Sequence, residues 1–157
     1  MKHLWIIMDG NRRWAKKRLL PTIAWHKAGA NNAVNITKIA KIKWIKYLTL
    51  WALSTKNLIK RDKDEVKWII KLINNIENLL WDMLLEDLKF ETIWDISKLP
   101  IESQEILTKV KNNTQNNTGI TLILALVYWW QDEIIRATKK ILIEWINPKD
   151  LTTEEFR

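Results

Sequence analysis

Four short apolar segments alternate with helix-forming segments along this chain, and this alternation constrains its fold more than any other feature. The strands are predicted at residues 4–8, 47–53, 88–93 and 120–128, and the helices at 31–43, 64–85, 101–111 and 132–144. Strands that are each separated by a helix form a parallel sheet, because every crossover returns the chain to the same edge. We therefore predict an α/β fold, an open and mostly parallel sheet with helices on both faces.

The composition places the chain among globular proteins. It has 157 residues, enough for one domain with a substantial core, and no cysteine. Disulfides, thiolate metal sites and cysteine nucleophiles are therefore excluded. The first apolar run is too short for a signal peptide, and the longest, 122–130, is about half the length of a membrane span. We accordingly expect a cytoplasmic protein.

The net charge of +8 favours an anionic partner, which could be nucleic acid, a membrane surface or an anionic substrate. Most of the basic residues are lysines scattered along helices, as on an ordinary solvated surface. The sequence has neither zinc-ligand spacing nor a basic run with interleaved aromatic residues. We therefore predict no nucleic-acid partner, and a basic nucleic-acid binder is retained only as the alternative that the charge suggests.

Residues 8–15, MDGNRRWA, hold the densest group of candidate functional side chains. They follow the first apolar run, contain the turn sequence Asp-Gly-Asn and lead into a basic, helix-forming segment. Ligands of α/β folds bind in the loops after strands, and a helix N-terminus there favours anions. The pattern indicates a phosphate or diphosphate site, with Asp9 as metal ligand or as general acid or base. An ordinary turn with solvated arginines is the alternative.

The same segment resembles the opening of the cis-prenyltransferases, the undecaprenyl diphosphate synthase family. Residues 3–29, HLWIIMDGNRRWAKKRLLPTIAWHKAG, are similar to its pattern H-x-x-x-I-M-D-G-N-x-R-W-A followed by G-H-x-x-G. Three later segments are similar to family segments in the same order: LTLWALSTKN at 48–57, IWDISKLP at 93–100 and NTGITLILALVYWWQDEI at 117–134. Four ordered matches along the chain argue strongly against chance.

The resemblance implies a transferase that condenses isopentenyl diphosphate onto an allylic diphosphate such as farnesyl diphosphate, with Mg²⁺ as cofactor. The cis-polyprenyl diphosphate product would be a precursor of carrier lipids and would be delivered to the membrane. The resemblance also implies that the full-length protein is a homodimer, located in the cytoplasm or at the periphery of the membrane. A non-catalytic partner subunit of a prenyltransferase complex is the alternative.

The family pattern extends beyond the point that matches Arg157. It includes R-T-S-G-E and R-x-S-N segments, which bind isopentenyl diphosphate, contribute a metal-linked carboxylate and help to build the dimer. This chain contains neither segment. We therefore expect residues 1–157 to be a single, incomplete prenyltransferase domain that is inactive alone.

The resemblance assigns the chemistry to particular residues. Asp9 would be the central catalytic carboxylate and the Mg²⁺ ligand, and Asn11 would assist proton removal. Substrate binding is assigned to Gly10, Asn11, Arg12, Arg13, Trp14, His26, Ser54, Asn57 and Arg61. Arg61 is the weakest of these matches because one extra residue precedes it. The apolar stripe of 64–85 would line a tunnel for the growing chain.

The chain has 11 tryptophans and only 3 glycines, an unusual balance. Several tryptophans stand where Gly is favoured, since Trp44 and Trp145 follow helices and Trp94 ends a strand at a turn. The family has Gly at the positions of Trp25, Trp94, Trp129 and Trp130, and commonly at Trp44. We hypothesise that the organism reads UGA as Gly, so that most of the ten tryptophans other than Trp14 are misread Gly. These ten are the tryptophans at 5, 25, 44, 51, 68, 81, 94, 129, 130 and 145. A genuinely tryptophan-rich chain is the alternative, which UGG codons at 25, 94, 129 and 130 would establish.

Overall fold

A four-stranded parallel sheet organises the first part of the molecule. The computed structural model describes residues 2–127 and 130–143, and the chain divides after Val127 into two compact units that are described separately. The strands are β1 His3–Ile7, β2 Tyr47–Trp51, β3 Lys89–Ile93 and β4 Thr121–Ala125. They lie in the order β1-β2-β4-β3, and each neighbouring pair is parallel. The α/β class and the parallel sheet are confirmed, with β2 and β4 shorter than predicted.

The described part of the first unit contains six α-helices. They are α1 Asn11–Lys17, α2 Thr22–Ile42, α3 Thr55–Lys60, α4 Lys63–Asn74, α5 Ile76–Leu85 and α6 Ile101–Asn113, and a short 3₁₀ turn spans Ile96–Lys98. In the second unit, α7 spans Trp130–Ile143, which agrees with the helix predicted at 132–144 as far as the described residues reach. No described helix combines the length and the apolarity needed to cross a bilayer.

The predicted helix boundaries were wrong at three places. Asn75 divides the helix predicted at 64–85, and its side-chain oxygen accepts a local hydrogen bond from Asn78 at 2.7 Å, the kind of bond that competes with helix formation. α2 begins directly after Pro21, a residue that suits a helix start, and not at 31. α3 was missed because six residues are too few to show a helical period.

One face of the sheet is covered by helices. The side chains on that face form a single buried cluster with residues of α2, α4, α5 and α6; from the strands it includes Leu48, Leu50, Phe90, Leu122 and Leu124. Trp5 and Ile7 lie on the opposite face of β1, where they are exposed. Helices on both faces were predicted, and the helices that contribute to this cluster cover one of the two faces.

Three helices of the first unit end in the same backbone turn, with a left-handed residue just after the helix. That residue is Leu19 after α1, Trp44 after α2 and Asp87 after α5, with φ of 53°, 58° and 73°. The next amide donates back across the last helical turn, from Leu20 to Ala15, from Ile45 to Ala40 and from Leu88 to Met83. This is the Schellman arrangement, in which Gly is the favoured left-handed residue.

The backbone supports part of the tryptophan hypothesis. Trp44 and Trp94 have φ of 58° and 77°, so Gly would be favoured at both positions. The remaining tryptophans of the set whose backbone is described lie in regular elements, where Gly has no backbone advantage: Trp5 and Trp51 in strands, and Trp25, Trp68, Trp81 and Trp130 in helices. The side chains of Trp25, Trp129, Trp130 and Trp145 lie outside the described residues. The codon hypothesis therefore stays a prediction.

Candidate functional site

The loop after β1 turns sharply into α1. Gly10 has a left-handed backbone, with φ of 90° and ψ of −12°, which only Gly adopts without strain. Its amide donates to the Asp9 carboxylate, and its carbonyl accepts from the Trp14 amide at 2.9 Å, which starts the helix. The Asp9 side chain is thereby held at the start of α1.

The Asp9 carboxylate, which precedes α1, contacts the guanidinium of Arg13 in that helix. Its Oδ2 lies 3.2 Å from Nη2 of Arg13, and the two side chains are 79% and 78% exposed. A pair this exposed contributes little to stability, so both groups are available to a ligand. A carboxylate beside a guanidinium at this point can hold a metal–phosphate complex, with the guanidinium on the anion.

Asn11 packs closely against α2. A Cβ built on Gly29 would lie 2.8 Å from Nδ2 of Asn11, so the absent side chain of Gly29 makes room for the amide. α1 and α2 are in direct contact along this line. The aligned Gly of the G-H-x-x-G pattern therefore has a physical role, which is to let Asn11 approach the helix.

The loop after β2 brings a second group of predicted residues to the same edge of the sheet. Ser54 is buried and caps α3, its Oγ accepting from the Asn57 amide at 3.1 Å. Arg61 ends α3, and its Nη1 lies 2.6 Å from Oε1 of Glu65, a carboxylate that is only 9% exposed. Glu65 was not among the residues predicted from the sequence, although its spacing of four residues from Arg61 is the spacing of a helical ion pair.

An apolar cavity of about 140 Å³ lies beneath these loops. Its polar end is formed by Asn11, Gly29 and Arg61. The apolar wall is formed by side chains from α2, α4, α5, β2 and β4, including Val34, Leu50, Ile69, Leu72, Ile73, Ile76, Leu79, Leu80, Leu122 and Leu124. The apolar stripe of 64–85 thus lines a cavity, and this shape suits a ligand with an anionic head and a hydrocarbon tail.

The structure brings some of the predicted site residues together and leaves others apart. Asp9, Gly10, Asn11 and Arg13 share one turn, and Asn11 and Arg61 share the cavity. Ser54, Asn57 and Trp14 do not line the cavity among the described residues, and Trp14 instead packs under Arg18, whose guanidinium carbon lies 4.5 Å from the ring centroid. The side chains of Arg12 and His26 lie outside the described residues.

The donor set limits the kind of metal site that these residues can form. Within the described residues, no three His, Cys, Asp or Glu side chains are grouped as they would be around a metal held by protein alone. Mg²⁺ is commonly bound by one or two carboxylates together with substrate phosphates and water. The exposed Asp9 carboxylate fits that arrangement as a single protein ligand.

Comparison with known protein families identifies the family to which this chain belongs. The family model "Putative undecaprenyl diphosphate synthase" matches residues 7–157. The chain therefore belongs to this family of prenyltransferases. That membership confirms the resemblance drawn from the MDGNRRWA segment and its three later counterparts.

Individual relatives and structures are similar over nearly the whole chain. It is 43% identical over 154 residues to an isoprenyl transferase of Clostridium tetani, covering 98% of this chain and 60% of the relative. It is also 43% identical over 141 residues to the ditrans,polycis-undecaprenyl-diphosphate synthase ((2E,6E)-farnesyl-diphosphate specific) of Micrococcus luteus, covering 89% of this chain and 56% of the relative. The chain thus spans about 60% of the length of such curated relatives.

Two crystal structures extend the comparison to the fold. Lavandulyl diphosphate synthase from Lavandula x intermedia, in complex with dimethylallyl diphosphate, superposes with a TM-score of 0.89 at 31% identity, over 99% of this chain and 68% of that one. A probable undecaprenyl diphosphate synthase from Campylobacter jejuni superposes with a TM-score of 0.72 at 28% identity, over 99% and 66%. The cis-prenyltransferase fold is therefore shared.

Proposed function

We propose that this protein is a cis-prenyltransferase that condenses isopentenyl diphosphate onto an allylic diphosphate such as farnesyl diphosphate. One observation carries the proposal: an apolar cavity has Asn11 and Arg61 at its polar end, beside the loop that presents Asp9 and Arg13. The cavity would hold the hydrocarbon tail, and the charged loop would hold the diphosphate. The farnesyl diphosphate named for the Micrococcus relative supports the same substrate class.

The residues of this chain have definable tasks in that reaction. A carbon–carbon bond forms between the isopentenyl double bond and the allylic C1, while the C1–oxygen bond breaks and the diphosphate leaves with the electron pair. Arg13 and Arg61 would stabilise the charge that develops on the leaving oxygens. The attack through C4 of the isopentenyl unit leaves a cation at its C3, a proton is then lost from C2 to form the new double bond, and Asn11 would help to position the group that accepts it.

Asp9 would hold the cofactor. When bound through Asp9 and the substrate phosphates, Mg²⁺ would neutralise part of the diphosphate charge. The exposure of Asp9 leaves it accessible to such a complex. The other site residues assigned from the resemblance, including His26, Ser54 and Asn57, are proposed as substrate-binding residues on the same basis.

The proposal extends to the whole protein and to its partners. We place the allylic-diphosphate half of the site in this chain and the isopentenyl-diphosphate half in the part of the relatives' length that it does not span. The complete protein would be a cytoplasmic homodimer that delivers its product to the membrane. The 157-residue chain, as a single incomplete domain, would bind the allylic substrate without turning it over.

A condensation assay tests the proposal. The chain would be extended by the coding sequence after codon 157, with Gly at the ten disputed tryptophans, and incubated with farnesyl diphosphate, labelled isopentenyl diphosphate and Mg²⁺. We expect labelled polyprenyl diphosphate, and none when Mg²⁺ is removed. A folded protein that forms no product would reject the enzyme proposal. Turnover by the 157-residue chain would reject the proposal that the isopentenyl-diphosphate half of the site lies outside these residues.

A further inference from the structure

The turn that ends α1 carries an exposed leucine in a strained conformation. Leu20 donates to the Ala15 carbonyl at 3.1 Å and Leu19 to the Lys16 carbonyl at 3.3 Å, which completes a Schellman turn. Leu19 occupies its left-handed position with φ of 53°, and its side chain is 95% exposed. A bulky residue is unfavourable there, and one this exposed gains almost nothing from packing within its own unit.

The other two turns of this kind show what Leu19 lacks. At Asp87, the side chain accepts from the Thr118 amide at 2.9 Å and from the Thr118 hydroxyl at 3.0 Å, which offsets the strain. Trp44 is 91% exposed, but it belongs to the tryptophans that we interpret as misread Gly. No leucine codon arises from UGA, so that explanation does not extend to Leu19.

The surroundings of Leu19 are basic. Lys16, Lys17 and Arg18 directly precede it and are exposed, and Leu20 follows with 40% of its side chain exposed. Residues 10–61 contain 13 lysines and arginines and no aspartate or glutamate, so the net charge of +8 arises entirely in this segment. No acidic residue of the same segment therefore offsets the cations next to the two leucines.

We propose that residues 16–20 dock on an anionic phospholipid bilayer. Lys16, Lys17 and Arg18 bind the lipid headgroups, while Leu19 and Leu20 insert below them. A nucleic acid would satisfy the cations but offers no apolar layer for Leu19. A bilayer supplies both anionic headgroups and an apolar layer. Asn11, at the start of α1, lines the polar end of the cavity, so docking of the end of α1 also brings the cavity close to the lipid. The docking does not depend on the proposed reaction.

Vesicle binding of the 157-residue chain tests this proposal. The probes are vesicles of phosphatidylcholine alone and of phosphatidylcholine with an equal part of phosphatidylglycerol. We expect binding to the anionic vesicles only, weakened about tenfold by Leu19→Gly through loss of one inserted leucine. Because Leu19→Gly also relieves the backbone strain, its melting temperature should rise, so weaker binding cannot be attributed to unfolding.

Trp44→Gly is the matched control, since Trp44 has the same turn, a similar φ and a similar exposure at the other end of α2. We expect a higher melting temperature and unchanged vesicle binding. Absent binding by the unchanged chain, or equal binding by Leu19→Gly, would overturn the proposal. It would also be overturned by tight binding of duplex DNA that Lys16→Gln/Lys17→Gln abolishes and Leu19→Gly leaves intact. A parallel titration with farnesyl diphosphate distinguishes bilayer docking from the proposed enzyme activity, because failure of this substrate to bind would count against the enzyme activity and not against the docking.

Discussion

The two edges of the parallel sheet use their polar groups in opposite ways. At the carboxyl edge, Asp9 and Arg13 are mostly exposed and contact each other at 3.2 Å. At the amino edge, before β3 and β4, Asp87 accepts from the Thr118 amide, and its carbonyl accepts from the Gly119 amide at 3.1 Å. Asp9 and Arg13 at the first edge are available to a ligand, whereas Asp87 and Thr118 at the second edge are hydrogen-bonded to each other within the fold. Substitutions of Asp9 and Arg13 should therefore lower activity, whereas substitutions around Asp87 should lower stability.

Asp9→Ala should have the largest effect of these substitutions, and it should lower activity without lowering stability. In the extended protein we expect kcat/KM to fall by about 10²–10³, or about 3–4 kcal/mol of transition-state stabilisation. The free energy of unfolding should change by less than about 0.5 kcal/mol, because the carboxylate is exposed. Steady-state kinetics and denaturant unfolding of the same preparations measure both quantities, and a large loss of stability would show that Asp9 also stabilises the fold.

Gly119→Ala, at the amino edge, should lower the stability of the protein. Its Cβ would lie far inside van der Waals contact with the Asp87 carbonyl oxygen, a backbone atom that cannot rotate away. We expect the free energy of unfolding to drop by about 3 kcal/mol. Denaturant unfolding checks this value, and a variant as stable as the parent would show that the amino edge is not rigid.

Gly29→Ala is the counterpart at the carboxyl edge, and its effect should be smaller. Here the Cβ meets the flexible side chain of Asn11, which can move at little cost. Displacing Asn11 from the polar end of the cavity should weaken farnesyl diphosphate binding about tenfold, or about 1.4 kcal/mol. Calorimetric titration measures the affinity, and unchanged affinity would remove Asn11 from the binding site.

Trp44→Gly should stabilise the protein by about 1 kcal/mol, because the left-handed backbone at this position favours Gly. Trp94→Gly should gain less. The Trp94 ring lies 5.8 Å from that of Trp5 and 6.2 Å from that of Trp51, and these contacts are lost with it. Thermal unfolding of the two variants would test the order, and destabilisation by Trp44→Gly would argue that Trp44 belongs to the natural protein.

The pH dependence of the amino edge should be the smallest effect. Hydrogen bonds from the Thr118 amide and hydroxyl, and from Gly119, lower the pKa of Asp87. A lowered folded-state pKa adds stability above the unfolded value of about 3.9, and this stability is lost as the pH falls through the folded value. Melting temperatures should therefore decline below about pH 4, and less steeply in Asp87→Asn.

The sequence predicted local features of both edges better than long-range ones. The apolar runs located the strands, and Asp-Gly-Asn located the turn at Gly10, because both depend on adjacent residues. The division of the long helix at Asn75 was missed because apolar periodicity continues across it. The pairing of Asp87 with Thr118 and the burial of Glu65 were also missed, since each depends on how distant segments pack. The strain at Leu19 was invisible because a leucine after a helix gives no turn signal.

Calorimetric titration of the 157-residue chain with farnesyl diphosphate and with inorganic diphosphate, in the presence of Mg²⁺, tests most directly whether this chain holds the allylic-diphosphate site. We expect farnesyl diphosphate to bind more tightly than inorganic diphosphate, because the apolar cavity buries its tail, and Asp9→Ala to weaken the binding of both ligands strongly. Equal affinity for the two ligands, or farnesyl diphosphate binding that survives Asp9→Ala unchanged, would contradict the assignment of that site to this chain.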